Sequence, residues 1–111
     1  MRPEHEELLR RLALNDARTT EAALGIVLGL PQGSRLGAKT RALARVAALI
    51  AAESALTSYQ WAADTAFAAG ASEEEVVDVL TAVAPIVGSA RLAAAAPQLA
   101  LALGYDAEQR T

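Results

Sequence analysis

The chain has 111 residues, of which 53% are hydrophobic and 4% aromatic. This length suffices for one compact domain, so we expect a single domain over residues 1–111. The net charge of −3 offers no attraction to a nucleic-acid backbone or an anionic membrane surface, and neither is expected as a partner. The chain contains no cysteine, which excludes disulfides and thiol chemistry within it.

Neither the N-terminus nor the most apolar segment looks like a targeting or membrane sequence. The start, "MRPEHEELLRR", is charged and lacks the continuous apolar stretch of a signal peptide. The run "ALARVAALIAA", residues 42–52, contains Arg45 and is shorter than the ~20 residues that span a bilayer. We therefore expect a cytoplasmic protein in which this run is a buried helix.

Abundant Ala and few strand-forming residues predict an all-α fold, a bundle of about five to six helices. The first helix is predicted from about Glu4 to Leu14, where acidic residues precede basic ones as the helix dipole prefers. Asn15 or Asp16 can cap a second helix, whose apolar residues recur at helical spacing until Pro31 stops it.

A third helix is predicted from near Ala38, with Val46 and Ile50 among its apolar residues. The pattern falters at "ESALT", residues 53–57, because Ser54 and Thr57 can both cap a helix. We therefore predict a bend or restart there, followed by a fresh helix that runs to Ala69.

The clearest helix boundary lies around Gly70, which suits the residue after a helix C-terminus. The following "SEEE" is typical of a capping box, with Ser72 as N-cap and Glu75 at the third helical position. A last helix is predicted from Ser89 to Leu103, and we expect Pro97 to kink or break it.

Three segments, taken in order, resemble the carboxymuconolactone decarboxylase family, which includes the alkyl hydroperoxidase D-like proteins. They are "KTRALARVAALIA", "WAADTAFAAGASEEEVVDVL" and "AVAPIVGSARLAAAAPQLALAL", and the resemblance covers about residues 35–103. Its most specific marks are Thr40, Arg41 and Leu43, the Ala-x-x-x-Gly end at Ala66 and Gly70, and Gly88. The resemblance implies an all-α, alkyl hydroperoxidase D-like fold whose helical hairpins assemble into a trimer or a hexamer.

The apolar content also favours a homo-oligomer. Several helices of this short chain are apolar on more than one face, and a monomer cannot easily bury them all. The alternative is a monomeric helical bundle that is stable by itself.

The family's chemistry does not transfer to the residues in this chain. In the peroxidase branch the site resembles Cys-x-x-Cys-x-x-x-His, and the three positions here are Ala55, Ser58 and Ala62. The decarboxylase branch keeps the His and often a Glu at the middle position, where this chain has Ala62 and Ser58. A slipped alignment would use Gln60 and Asp64 instead, although Asp64 is then too close to the helix end for the usual spacing.

The residues that could still line a pocket are Arg41, Glu53, Ser58, Trp61 and Asp64. Because residues three apart share a helix face, Ser58, Trp61 and Asp64 can form one ligand-binding patch, with Asp64 and Ser58 as the catalytic candidates. Arg41 can bind a carboxylate or pair with an acid. Glu53 can accept backbone N–H bonds where the helix restarts.

Each of these residues also has a purely structural interpretation. Trp61 can be a core or interface anchor, as can Tyr59. Ser58 can be a packing residue or a cap, and Asp64 a solvated acid. No metal or cofactor is predicted, because His5 is the only histidine and no cysteine accompanies it.

Three functions follow as hypotheses. The first, which we favour, is a non-catalytic or unassigned homo-oligomer that binds a small molecule or a partner through its interhelical cleft, in a pocket lined by Ser58, Trp61 or Asp64. The second is a lyase or isomerase acting on a small carboxylated substrate, with Asp64 as acid or base and Arg41 holding the carboxylate. The third is a structural or assembly subunit.

Overall fold

The computed structural model describes residues 1–25 and 35–105, which form helices and contain no strand. The helices are α1 (Pro3–Ala13), α2 (Ala17–Leu24), α3 (Ala38–Ala52), α4 (Leu56–Ala68), α5 (Glu73–Val87) and α6 (Ser89–Ala102). The predicted all-α fold is therefore confirmed. None of these helices is long and apolar enough to cross a membrane. The chain divides into two compact units, Met1–Gln32 and Gly33–Thr111.

The first unit contains α1 and α2, which pack against each other. After α1, Asn15 adopts a left-handed conformation with φ of 55°, and Asp16 accepts a hydrogen bond from the Thr19 N–H at 3.0 Å. Asp16 is therefore the N-cap of α2, one of the two predicted caps. α2 ends at Leu24, earlier than predicted, and the rest of the predicted helix falls on residues 26–34, outside the described residues.

The second unit contains a four-helix bundle of α3 to α6. α3 and α6 each pack against both α4 and α5. Lys39 Nζ lies 2.9 Å from Glu75 Oε2, which brings the starts of α3 and α5 together. Arg91 Nε lies 3.7 Å from Glu53 Oε1, which brings the start of α6 to the α3–α4 turn. α3 and α5 therefore point one way along the bundle, and α4 and α6 point the other way.

The core of the bundle consists mainly of small and branched side chains. The buried residues of α3 recur every four positions, which is the spacing of one helix face. The small side chains of α4 allow its neighbours to approach closely. The buried core of the four helices includes Ala42, Val46, Ile50, Tyr59, Ala62, Ala66, Val76, Val79, Ala95 and Leu99. The prediction that residues 42–52 form a buried helix is confirmed for one of its faces.

The boundary between α4 and α5 has the predicted caps. Gly70 has a φ of 94°, and its N–H donates to the carbonyl of Phe67, as in a glycine-terminated helix. Ser72 Oγ accepts a hydrogen bond from the Glu75 N–H at 3.1 Å, and Glu75 Oε1 accepts one from the Ser72 N–H at 3.0 Å. The capping box is therefore complete, and it sets where α5 begins.

The break between α3 and α4 lies where predicted, but its cap is different. The N-cap of α4 is Ala55, and no side chain caps the helix, so neither Ser54 nor Thr57 has the predicted role. Glu53 has a φ of 55°, and the N–H groups of Glu53 and Ser54 donate back to carbonyls of α3. The backbone of Ser54 therefore belongs to the end of α3, and the N-cap position of α4 falls one residue later, on Ala55.

Of the predicted kink or break at Pro97, the break does not occur, because α6 is continuous over Ser89–Ala102. Pro85 likewise lies inside α5. A proline removes the N–H that would bond to the carbonyl four residues earlier. The residues at those positions, Thr81 and Ala93, are exposed, so water can bond to their carbonyls and the helices continue.

We expect Ser72→Ala to lower the free energy of unfolding by about 1 kcal/mol, because it removes the side-chain half of the capping box. Ser89→Ala is the matched control, since Ser89 also begins a helix but gives no cap hydrogen bond. Its effect should stay within about 0.5 kcal/mol. Urea unfolding followed by circular dichroism measures both, and equal losses in the two variants would contradict the capping role.

Stability should also depend on the charge of Glu75. The Lys39 ammonium and the Ser72 backbone N–H hold the pKa of Glu75 below its ordinary value of 4.5. A lowered folded-state pKa stabilises the protein above the unfolded pKa, and this contribution is lost as the pH falls through the folded pKa. Glu75→Gln should therefore be less stable than the parent chain at pH 7, and this difference in stability should shrink as the pH falls below 4.5 and through the lowered folded-state pKa of Glu75.

Glu74→Gln is the control, because Glu74 is exposed in the same first turn of α5 and shares its helix-dipole environment. Chemical unfolding at a series of pH values measures both variants. If the difference in unfolding free energy between Glu75→Gln and the parent chain stays constant with pH, that result argues against the Lys39 ion pair.

Candidate functional site

The start of α4 lies at one end of the bundle. This end, the α4–α6 corner, comprises the α3–α4 turn at Glu53, the first turn of α4 and the first turn of α6. The contact of Arg91 with Glu53 brings the two first turns to the same corner. The three positions expected from the family resemblance lie in α4 or at its start, so this helix holds most of the residues at issue.

Those three positions have different surroundings. Ala55 is the exposed N-cap of α4, and Ser58 is half-buried in the first turn. Ala62 is buried within the bundle core. A methyl group at the first and third positions has neither a lone pair nor a transferable proton, and the unit that contains Ser58 has no histidine in its sequence to activate the Ser58 hydroxyl.

The predicted patch of Ser58, Trp61 and Asp64 lies on one face of α4, and that face is turned away from the core. Trp61 is 54% exposed and Asp64 is also exposed. The opposite face holds the buried side chains Tyr59, Ala62, Ala63 and Ala66. The three candidates thus share a face as predicted, but within one chain they line an open surface.

Arg41 and Glu53 lie far apart along α3. Arg41 is in the first turn of the helix, and Glu53 follows its last residue, about 18 Å away along the axis at 1.5 Å per residue. Because α3 and α4 run in opposite directions, Arg41 and Asp64 are separated by no more than about 5 Å along the bundle axis. Asp64 nevertheless lies on the outer face of α4. The structure therefore does not bring Arg41 to Ser58 or to the α4–α6 corner.

Glu53 has a different partner from the predicted one. Its carboxylate lies 3.7 Å from Arg91 Nε, and both side chains are more than half exposed. We expected backbone N–H groups of the restarting helix as its partners, and no such bond occurs in the described part of the chain. Arg91 is not among the residues predicted from the sequence. The available signal was a cation in the first turn of a helix, where the dipole disfavours positive charge.

Tyr59 is the buried polar residue that sequence analysis assigned only to packing. Its side chain is 1% exposed, and its hydroxyl has no hydrogen-bond partner among the described residues. Burial raises the pKa of the Tyr59 hydroxyl, because the phenolate is disfavoured away from water. Tyr59, Ala62, Ala63 and Ala66 recur at helical spacing, which predicts that they share one buried face. The burial of Tyr59 could therefore be predicted from the sequence.

Metal ligands are not gathered anywhere within residues 1–25 and 35–105. No group of three or more His, Cys, Asp or Glu side chains there could hold a metal ion. The polar groups of the α4 face and the α4–α6 corner are instead a hydroxyl, an indole, two carboxylates and a guanidinium. Such groups can bind a small polar or anionic molecule directly.

The fold is an all-α bundle of helical hairpins, and α4, which carries most of the candidate residues, starts after a left-handed residue at Glu53. The chain belongs to the carboxymuconolactone decarboxylase family, because the model of that family matches residues 15–101. The resemblance over residues 35–103 is thereby confirmed, and the match also includes α2. No curated protein and no solved structure matches the chain significantly.

We expect Tyr59→Phe to leave the free energy of unfolding unchanged or to raise it by about 1 kcal/mol, because it removes a buried hydroxyl that has no partner within residues 1–25 and 35–105. Tyr105→Phe is the control, since Tyr105 is exposed and its hydroxyl is solvated. Thermal and urea unfolding without added ligand measure the change. A loss of more than 1 kcal/mol would instead reveal a hydrogen-bond partner in the folded protein.

Proposed function

We propose that this member of the carboxymuconolactone decarboxylase family is a homo-oligomer, a trimer or a hexamer, that binds a small molecule without the family's Cys and His chemistry. The observation that carries the proposal is the orientation of α4. Ser58, Trp61 and Asp64 share its outer face, where a second subunit can close a pocket over them. The binding cleft would then lie between subunits.

Exposed apolar side chains support the assembly. Trp61 on α4 and Ile86 on α5 are 54% and 88% exposed, and Val77 on α5 is also exposed. Burying a side chain of this size against another subunit contributes about 1.5–3 kcal/mol. A small bundle with several such residues gains stability from assembly, and the polar groups of Ser58 and Asp64 would then face a sheltered space.

The residues at the expected reactive positions support binding over catalysis. Ala55 and Ala62 cannot form a thiolate or relay a proton, and the chain has no cysteine to replace them. A lyase would need Asp64 and Arg41 to act on the same substrate. The outward orientation of Asp64 in the single chain gives that alternative less support than the binding role.

The assembly can be followed with Trp61, which is the only tryptophan in the chain. We expect native mass spectrometry to show three or six subunits, and dilution to shift the Trp61 emission to longer wavelength as the subunits separate. Trp61→Ala should weaken the assembly about tenfold or more, because it removes buried apolar area. Extra mass retained by the oligomer would identify the bound molecule.

Tyr105→Ala is the matched control, since it removes another exposed aromatic side chain, beyond the far end of α6. It should leave the subunit number and the dilution midpoint unchanged. A monomer at all concentrations would refute the proposal. An oligomer in which Trp61 is buried but Ser58 and Asp64 are inaccessible to small molecules would favour a purely structural subunit.

A further inference from the structure

α1 carries large apolar side chains that its own chain leaves exposed. Leu8, Leu9 and Leu12 are 46%, 60% and 42% exposed, and α1 has no buried residue. These three side chains lie on one side of the helix and are called here the leucine stripe. α1 ends at Ala13, and the match to the family begins only at residue 15, so the leucine stripe lies outside that match.

Two opposite charges lie on the same flank of the leucine stripe. Glu4 and Arg11 are seven positions apart, so they differ by only about 20° around the helix axis. They are four and three positions from Leu8, which places them beside the stripe, and both are exposed. This flank therefore begins with a negative charge and ends with a positive one, and it is complementary to a reversed copy of itself.

The ion pairs of α1 leave both of these charges available to another chain. Glu7 accepts two hydrogen bonds from Arg10, at 3.0 and 2.7 Å, and one from Arg11 Nε at 2.9 Å. Because Arg10 alone satisfies both Glu7 oxygens and the pairs are exposed, Arg11 can turn to another carboxylate at little cost. Glu4 has no ion-pair partner among the described residues.

The charges decide the direction in which two copies of α1 can pair. In an antiparallel pair with its two-fold axis between Leu8 and Leu9, the same flank of each helix meets its copy. Arg11 of the second copy then lies opposite position 6, about 3 Å along the axis from Glu4, and symmetry repeats this pair. In a parallel pair the flank would instead meet the opposite flank, which carries Glu6, so two acids would face each other.

We propose that α1 is a docking surface for α1 of a second copy of this chain. The two helices pack antiparallel through their leucine stripes, and Glu4 of each copy pairs with Arg11 of the other. The apolar contact supplies the driving force, because leucine side chains that are exposed in one chain leave water. The ion pairs supply the direction, because only the antiparallel arrangement places opposite charges together.

A single contact of this kind is small, because α1 has only about three turns. The trimer proposed above would carry three copies of α1, and two trimers joined by three such contacts bind far more tightly than two single helices. The pairing thus rests on the proposed assembly for its strength, and it selects the hexamer over the trimer. Each contact is closed by its own two-fold axis, so the assembly stops at six subunits.

Native mass spectrometry over a range of concentrations tests the leucine stripe. We expect six subunits for the parent chain and three for Leu9→Gln, with dissociation into trimers at concentrations at least tenfold higher than for the parent. Leu24→Gln is the matched control, because Leu24 is 77% exposed on α2, and this variant should keep six subunits.

The subunit number separates failure of the pairing from failure of the proposed assembly. A parent chain of three subunits, or six subunits that persist unchanged in Leu9→Gln, would overturn the pairing and leave the assembly through Trp61 intact. A parent chain of two subunits that becomes a monomer in Leu9→Gln would support the pairing and refute the trimer. A parent chain that stays monomeric would overturn both.

Charge reversal tests the antiparallel direction. Glu4→Arg and Arg11→Glu should each reduce six subunits to three, because like charges then face each other. A mixture of the two variants should restore six subunits, three of each kind, because every pair then joins opposite charges. Arg18→Glu and Glu21→Arg make the same reversals on the exposed face of α2 and should each keep six subunits without mixing.

A mixture that fails to form the six-subunit species would refute the antiparallel pair, as would equal losses in the α2 controls. Circular dichroism reports whether each variant keeps the helical content of the parent chain. Recovery on mixing cannot come from a loss of helix in either variant, so it supports the pairing even where a single reversal weakens α1.

Discussion

Burial of one face of α4 is the constraint on which the arrangement of this protein depends. Tyr59, Ala62, Ala63 and Ala66 lie against the other helices of the bundle, and the small Ala side chains allow close packing. Because a helix is a rigid rod, the burial of this face fixes the rotation of α4. Every other side chain on the helix is then assigned to the core, the corner or the outer surface.

The same rotation sets the surroundings of Ala62, one of the positions expected from the family resemblance to be reactive. Ala62 lies in the core, where a methyl group packs without the cost of burying an unpaired polar group. Tyr59, one position after Ser58, brings into the same core a hydroxyl that has no hydrogen-bond partner among the described residues.

Two surfaces with different chemistry result from the same helix. The outer face carries the exposed side chains of Trp61 and Asp64. The α4–α6 corner brings Arg91 to Glu53 within one chain.

The sequence by itself determined the elements whose cause is local. The capping box at Ser72, the left-handed Gly70 and the buried spacing of α3 all arise from residues within a few positions of one another. The family was also recognisable, because the order of these helices survives in the chain. Only the tertiary structure decided that Ser58, Trp61 and Asp64 face outward, and that Arg91 meets Glu53 from 38 positions away. These outcomes depend on how helices rotate and pack against one another, and helical periodicity along a single chain does not specify that.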